Sequence, residues 1–255
     1  MKKQLRLKYS SFCFLLAVSL LLAAVPATTF AQAEPRLLTV ITVEVNQDMT
    51  QEFEELQKEL NAALKKAGVT ERRISQTVRG PSAEYTIVTP VSKWADYDMT
   101  DVNAKALGEA GAARWIARVT KCVKNRRVDT VESRPDLEIP LKEGRTPKLA
   151  IVTTLRNRPG RYPDYNDWLI NKWIPARKAA NMNGYYVYRN AFGGHSREWI
   201  TVSFVNSWAA FDGEHPVREH LGDEGWRKLR AGVGDMRSSS VRRIVRLRPD
   251  LSILP

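Results

Sequence analysis

The chain says most things twice. "LGEAG" at Leu107–Gly111 returns as "LGDEG" at Leu221–Gly225, and "SRPDL" at Ser133–Leu137 returns as "LRPDL" at Leu247–Leu251, both 114 residues later. Nearer the N-terminus the offset is 112: Leu37 matches Leu149, Val40 matches Val152, Thr42 matches Thr154, and LKKAG (Leu64–Gly68) matches ARKAA (Ala176–Ala180). Glu84 and Glu198, Val88 and Val202, Trp94 and Trp208, and Asp98 and Asp212 already follow the longer offset of 114. One short insertion explains the change. It falls between TVRGPSAEY and RNAFGGHSREW, where Gly, Pro and Ser mark a hairpin loop. A period of more than 100 residues is too long for a solenoid and reads as two copies of a domain-sized unit. The expected division is 34–137 for the first unit, 138–147 for the linker EIPLKEGRTP, and 148–255 for the second.

Residues 1–33 stand apart. Lys2, Lys3, Arg6 and Lys8 precede the apolar run FCFLLAVSLLLAAV and the small-residue site Ala31-Gln32-Ala33, the order of a secretory signal peptide. The apolar run is shorter than the roughly 20 residues a bilayer-spanning helix needs. The mature chain is therefore expected to be periplasmic or secreted, with no membrane span after signal removal. Cys13 lies inside the run, which argues against a lipid-modified Cys at the cleavage site. That leaves Cys122 alone, so an internal disulfide is excluded and the fold must stand on its hydrophobic core. The expected role of Cys122 is that of a small buried hydrophobe.

Charge divides unevenly between the copies. Residues 34–147 hold 18 Lys/Arg against 18 Asp/Glu, whereas 148–255 hold 18 against 10. The excess in the second unit reads either as a solvated basic face or as a surface that meets an anionic ligand or envelope. Export argues against nucleic acid as the partner.

Each unit carries the same order of elements. RLLTVITVEV is strand-like. Asp48 and Thr50 then offer N-cap oxygens to a helix in which Phe53, Leu56, Leu60 and Leu64 share a face, Lys65 and Lys66 lie late, and Gly68 stops the run. RRISQTVRG and AEYTIVTPV form a hairpin, a helical region spans about 103–124, and RRVDTVESRPDL is a fourth strand. The second unit repeats this with LAIVTTL, a helix from Pro163 that Pro175 should kink, GYYVYRNAF, EWITVSFV, a helical stretch over 217–236, and VRRIVRLRPDL. The order β-α-β-β-α-β is the ferredoxin-like plan, an antiparallel sheet with both helices on one face. The bare face of each sheet needs a partner, and the covalently joined copy is nearest. The fold class expected is α+β: two tandem ferredoxin-like units forming one intramolecular α/β barrel.

The segments VSKWADYD (Val91–Asp98) and VNSWAAFD (Val205–Asp212) resemble the stretch between strand three and helix two of the dimeric α/β-barrel superfamily. That superfamily includes cofactor-free monooxygenases of the antibiotic-biosynthesis type. The resemblance covers the whole mature chain and implies small-molecule binding beside the sheet. In some relatives it implies a His that holds haem or assists proton transfer.

The residues support binding better than chemistry. In EWITVSFV, Ile200, Val202 and Phe204 alternate with Trp199, Thr201 and Ser203. If the Ile200 set packs on helices, Trp199, Thr201 and Ser203 look into the barrel, and by the same argument Arg246 of the last strand points inward. Tyr188, which shares a face with Tyr186 and not with Tyr185, adds a hydroxyl. Each aromatic alone is more simply core packing. Together, Trp199, Thr201, Ser203, Tyr188 and Arg246 outline a site for an aromatic or carboxylate-bearing ligand, because Arg can grip a carboxylate with two hydrogen bonds. Tyr85, Ile87, Thr89 and Glu132 are the first unit's copy of this wall, which lacks the Arg.

All three His residues lie in the second unit. His195 sits in the Gly-Gly-His-Ser hairpin. His215 and His220 are five apart and do not share a helix face, and no metal-ligand motif is present. No metal or cofactor is expected, although one axial His leaves haem conceivable. Two functions follow. One is an exported protein that binds a small anionic or aromatic molecule, with self-association an open property. The other is a cofactor-independent monooxygenase or isomerase acting on a small aromatic substrate, with Tyr188 or His195 moving the proton. The lack of a nucleophile-base set, a phosphate loop or a metal cluster favours the first.

Overall fold

The structure, a computed structural model, describes residues 34–99 and 101–255; the signal segment expected at 1–33 lies outside the described residues. The first copy contributes β1 (Leu37–Val45), β2 (Arg73–Arg79), β3 (Glu84–Val91) and β4 (Val123–Ser133). The second contributes β5 (Leu149–Asn157), β6 (Tyr185–Phe192), β7 (Glu198–Val205) and β8 (Arg237–Leu247). They close into one antiparallel barrel in the order β1-β3-β2-β8-β5-β7-β6-β4. The copies keep one register: Leu37 faces Val91 and Val40 faces Val88 between β1 and β3, as Leu149 faces Val205 and Val152 faces Val202 between β5 and β7. Two seams, β2–β8 and β4–β6, join the halves and leave no unpaired strand edge. The architecture is the α+β barrel of two ferredoxin-like units.

Helix α1 (Thr50–Lys66) buries Phe53, Leu56, Leu60 and Leu64 as its spacing demands. Its expected side-chain cap does not form. Gln47–Met49 makes a 3-10 turn, and the Thr50 hydroxyl donates to the Gln47 carbonyl at 3.0 Å instead of capping the helix. The second helical region divides into α2 (Val102–Leu107) and α3 (Glu109–Cys122) at Gly108, whose φ is 71°. Gly222, its partner in the repeat, has φ 65° and breaks α6 (Pro216–Arg230) in the same way. The repeated Leu-Gly is thus a repeated helix break, at a φ that only glycine adopts without strain. The short α7 (Val233–Met236) follows α6. Between α4 (Tyr162–Trp168) and α5 (Ile174–Ala179), a π-turn spans Leu169–Trp173 just before Pro175. Proline lacks the N–H that a regular turn would use, so the predicted kink takes the form of a widened turn.

The halves exchange their tails. Leu251 packs with Phe53, Leu56 and Tyr85, and Ile253 packs with Leu60 and Leu64, so the C-terminus completes the first half's core. Leu137 and Ile139, which follow β4, lie with Val187, Trp199 and Tyr185 in the core of the second half. Backbone pairs pin both tails, Arg72 with Ile253 and Ile139 with Tyr185. A clasp adds to this: Arg248 binds Glu54 on α1 and Asp250, and Tyr85 donates to Glu54 at 2.6 Å. The Arg248 hydrogen bond is the main reason that the Glu54 carboxyl titrates below its usual range. Cys122 is buried and free, as its composition suggested.

The strands have two unlike faces. The face toward the helices carries Val43, Tyr85, Ile87, Leu155, Tyr185, Val187 and Trp199, all buried. The opposite face looks into the barrel, where the small side chains of Val40, Val88, Val152 and Val202 stay partly accessible. Among the described residues no helix is long and apolar enough to cross a membrane.

Candidate functional site

The face assignment drawn from β7 is the reverse of the one found. Trp199, Thr201 and Ser203 point toward the helices, and Ile200, Val202 and Phe204 point into the barrel. Neither face of this strand is exposed: the helix side holds the buried Trp199 and Thr201, and the barrel side is half-buried, so apolar character could not mark the helix side. Polar groups are accommodated there because partners lie on the same side: Asn157 at the end of β5 and Arg177 of α5. Trp199, fully buried, donates from Nε1 to Asn157 Oδ1 at 2.8 Å, stacks on Tyr162 at 4.8 Å and meets Tyr165 edge-on at 5.8 Å. Ser203 accepts from Arg177 of α5 at 3.3 Å. Thr201 is buried opposite Val187.

Arg246 is likewise on the outer face, not inside. It sits between Leu149 of β5 and Gln76 of β2 and is exposed. Tyr188 alone of the five looks into the barrel, beside Ser133 and Ile200. Burial, with Glu138 adding to it, raises its phenol pKa above the usual value. His195 stays in the hairpin, where Nδ1 accepts the Arg197 N–H at 3.2 Å and Nε2 lies 3.3 Å from Arg197 Nη2. The five residues therefore do not converge on one pocket.

What does converge is a cleft of about 450 Å³ at the β4–β6 seam, on the helix side of the sheet. Its walls include Trp94, Glu132, Tyr162, Arg189, Phe192 and Arg197. Trp94 and Phe192 meet edge to face at 5.4 Å and are 45% and 65% exposed, unusual for such large apolar rings. Glu132 accepts from Arg189 at 2.6 Å across the seam. Tyr162, which floors the cleft, stacks on Trp199 behind it. The Tyr162 hydroxyl and Arg189 Nε are buried with no hydrogen bond of good geometry, although the Arg189 guanidinium lies near enough to the Tyr162 oxygen for the two to interact. The local chain explains the shape. At Gly193 (φ 91°) a Cβ would overlap the Val128 carbonyl, so only glycine lets the hairpin pass β4 this closely. Phe192 is thereby held at the rim.

The repeat shows what makes the second half different. Glu54, which neutralises Arg248 in the first half, is Asn166 in the second, and Asn166 accepts from Arg134 at 3.0 Å. Tyr85 becomes Trp199, over which Arg134 lies at 5.5 Å. The second copy of the clasp thus has one carboxylate fewer, Asp136 alone pairing with Arg134, a local source of the charge excess that the composition showed. Sequence reasoning named Glu132 only as the counterpart of Arg246 and missed Trp94, Tyr162, Arg189 and Phe192. The one available signal was an aromatic residue directly before Gly-Gly in the hairpin.

Across the aromatic block from Tyr162 lies a second polar position. Arg177 of α5 is 2% exposed, its guanidinium 4.0 Å above the Tyr185 ring and 5.4 Å from Trp173. Burial lowers its pKa to about 10, still far above neutrality. His215 caps α6, with Nδ1 accepting the Val217 N–H at 3.2 Å. Burial first, then the charges of Arg177, Arg242 and Arg230, lower its pKa to about 4, so the ring is neutral at pH 7.

No protein-family model and no curated protein matches the sequence. Solved structures do match in shape. A candidate monooxygenase from Fusobacterium nucleatum subsp. nucleatum superposes with a TM-score of 0.58 at 12% identity, covering 84% of this chain and 93% of that one. An anthrone oxidase-like protein gives 0.56 at 12% identity, covering 83% and 91%. A chlorite dismutase variant from Candidatus Nitrospira defluvii, in complex with cyanide, gives 0.53 at 9% identity, covering 84% and 91%. At such identities the likeness is one of fold. Together with the closed barrel and the constant register of the repeat, it establishes that this chain has the fold of the dimeric α/β-barrel (ferredoxin-like) superfamily, with both halves of the barrel in one polypeptide.

Proposed function

We propose that the protein binds a small anionic aromatic molecule in the cleft at the β4–β6 seam. The observation that carries this reading is the cleft itself: about 450 Å³, with two exposed aromatic rings and two arginines in its walls. That volume is in the range of small-molecule sites, and the walls are more polar than is usual for them, mixing aromatic rings with Glu132, Arg189, Asn190, Ser196 and Arg197. Trp94 and Phe192 touch each other, so a flat ring packs against their exposed surfaces and not between them. A carboxylate or phenolate on it is drawn to Arg197 and to Arg189, whose charge Glu132 partly offsets. A ligand oxygen near Tyr162 and Arg189 would also give their unpaired donors an acceptor.

Titration with a panel of aromatic carboxylates, read by tryptophan fluorescence, tests the reading. Arg189→Met should weaken the best binder about tenfold or more, the effect of one charged hydrogen bond at about 1.5–3 kcal/mol. Trp94→Ala should weaken it by a similar factor, and Arg246→Met should leave it unchanged. Equal affinities in all three variants would remove the cleft as the site.

The monooxygenase or isomerase reading asks for Tyr188 or His195 beside the substrate. Tyr188 opens into the barrel rather than the cleft, and its raised pKa makes it a poor base at neutral pH. His195 is adjacent to the cleft residues Ser196 and Arg197, so it is the one of the two that a ligand there could meet.

The proposal includes export. The charged start, short apolar run and Ala-Gln-Ala site favour cleavage after Ala33. The intact mass of protein recovered from outside the cytoplasm should lack Met1–Ala33, and a retained Met1 would exclude cleavage.

A further inference from the structure

We infer that the layer between α5, α6 and the sheet of the second half holds a small singly charged anion against Arg177. This position lies apart from the cleft, and its case is independent of it. Arg177 is almost wholly buried, yet among the described residues no acidic side chain forms an ion pair with it. Its one hydrogen bond goes to a neutral hydroxyl, Ser203 Oγ, and Nε is buried with no partner. A charge taken out of water without a counter-charge is strongly unfavourable, and stacking on Tyr185 and Trp173 offsets only part of that cost.

The first half shows how the chain otherwise treats a buried arginine. Arg72 is buried to a similar degree, but its guanidinium donates to Asn61 Oδ1 at 2.7 Å and to Gln57 Oε1 at 2.6 Å. Two strongly polarised amide oxygens satisfy it. Arg177 has no such pair. In the repeat its counterpart is Lys65, which is exposed on α1, so burying this cation is particular to the second half.

The surroundings suit an anion. The charges of Arg177, Arg242 and Arg230 all act on His215, Arg177 from the buried side and the other two from exposed positions. With Nδ1 engaged by Val217 N–H, the His215 proton belongs on Nε2, a donor. Trp226 lies 5.4 Å from His215, and Trp173 lies 5.8 Å from it, so the walls are aromatic and poorly hydrated. Donors, positive charge and a dry wall favour one small, weakly hydrated anion: a halide or nitrate, or the carboxylate end of an organic acid. These share one chemistry, and the test separates them.

The direct test is anomalous diffraction from crystals of the protein grown with sodium bromide. A peak within about 4 Å of the Arg177 guanidinium is expected. In solution, chloride-35 line broadening should show a binding component at least tenfold weaker in Arg177→Gln and unaltered in Arg246→Gln, which removes an exposed arginine from the same half. His215→Asn, which keeps the helix cap but removes the ring, should weaken that component several-fold, so the inference survives if Arg177→Gln fails to fold. Displacement by acetate or benzoate but not by neutral benzamide identifies a carboxylate site, and displacement by nitrate alone identifies an inorganic one. No bromide peak at Arg177, or equal broadening in wild type, Arg177→Gln and His215→Asn, overturns the inference. Arg189→Met, which tests the cleft, should leave the component unchanged.

Discussion

Residues 34–140 produced alone should not yield a folded monomer, whereas residues 34–255 should unfold in a single cooperative transition. The fragment keeps β1 to β4 but loses both seams, which leaves β2 and β4 as bare edges with unpaired backbone groups. It also loses Leu251 and Ile253 from its core and gains Leu137 and Ile139 with nothing to cover them. Each such side chain contributes roughly 1.5–3 kcal/mol when fully buried. Two of them lost amount to about 3–6 kcal/mol, against a whole-domain stability of about 5–15 kcal/mol. Loss of the Glu54–Arg248 clasp, which strands a partly buried carboxylate, adds to this. Circular dichroism and analytical ultracentrifugation of the fragment decide the matter. A monomeric fragment with the urea midpoint of the longer chain would rule out a shared core.

Trp199→Ala should cost about 4 kcal/mol or more, the largest effect expected of a single substitution here. Truncating a fully buried aromatic costs about 3–5 kcal/mol through lost transfer energy and the cavity left behind. The variant also strips the buried Asn157 oxygen of its donor, and an unpaired buried acceptor costs about 1–3 kcal/mol if the cavity admits no water. These costs overlap through relaxation, so they do not simply add. Trp94→Ala is the comparison: its ring is about half exposed, and its loss should shift the urea midpoint little. If the two variants unfold at the same denaturant concentration, Trp199 is not the keystone that its contacts describe.

The repeat made the fold readable because a register can be checked against itself. Val40 and Val152, or Val88 and Val202, had to occupy equivalent places, and one insertion had to fall in a loop; the strand pairs keep that register. The same sequence could not tell the two faces of β7 apart. Alternation separates Trp199, Thr201 and Ser203 from Ile200, Val202 and Phe204, but in a closed barrel under a helix layer both sets are covered. The deciding partners, Asn157 for Trp199 and Arg177 for Ser203, are 42 and 26 residues away and invisible to a local pattern. The cleft was hidden for a similar reason. It is assembled from β4, α4, the β6–β7 hairpin and the segment after β3, so no contiguous motif spells it.

The crossed tails have a consequence for how such a protein can change. In a barrel made of two identical chains, every substitution appears twice, and a residue that improves one pocket alters its twin. Here Glu54 and Asn166, Tyr85 and Trp199, and Lys65 and Arg177 already differ across the pseudo-twofold axis. Because Leu251 and Ile253 reach from one half into the other, the asymmetric pair also cannot drift apart into separate modules. A single gene therefore lets the two halves differ residue by residue while the barrel and core they share hold them together as one folding unit.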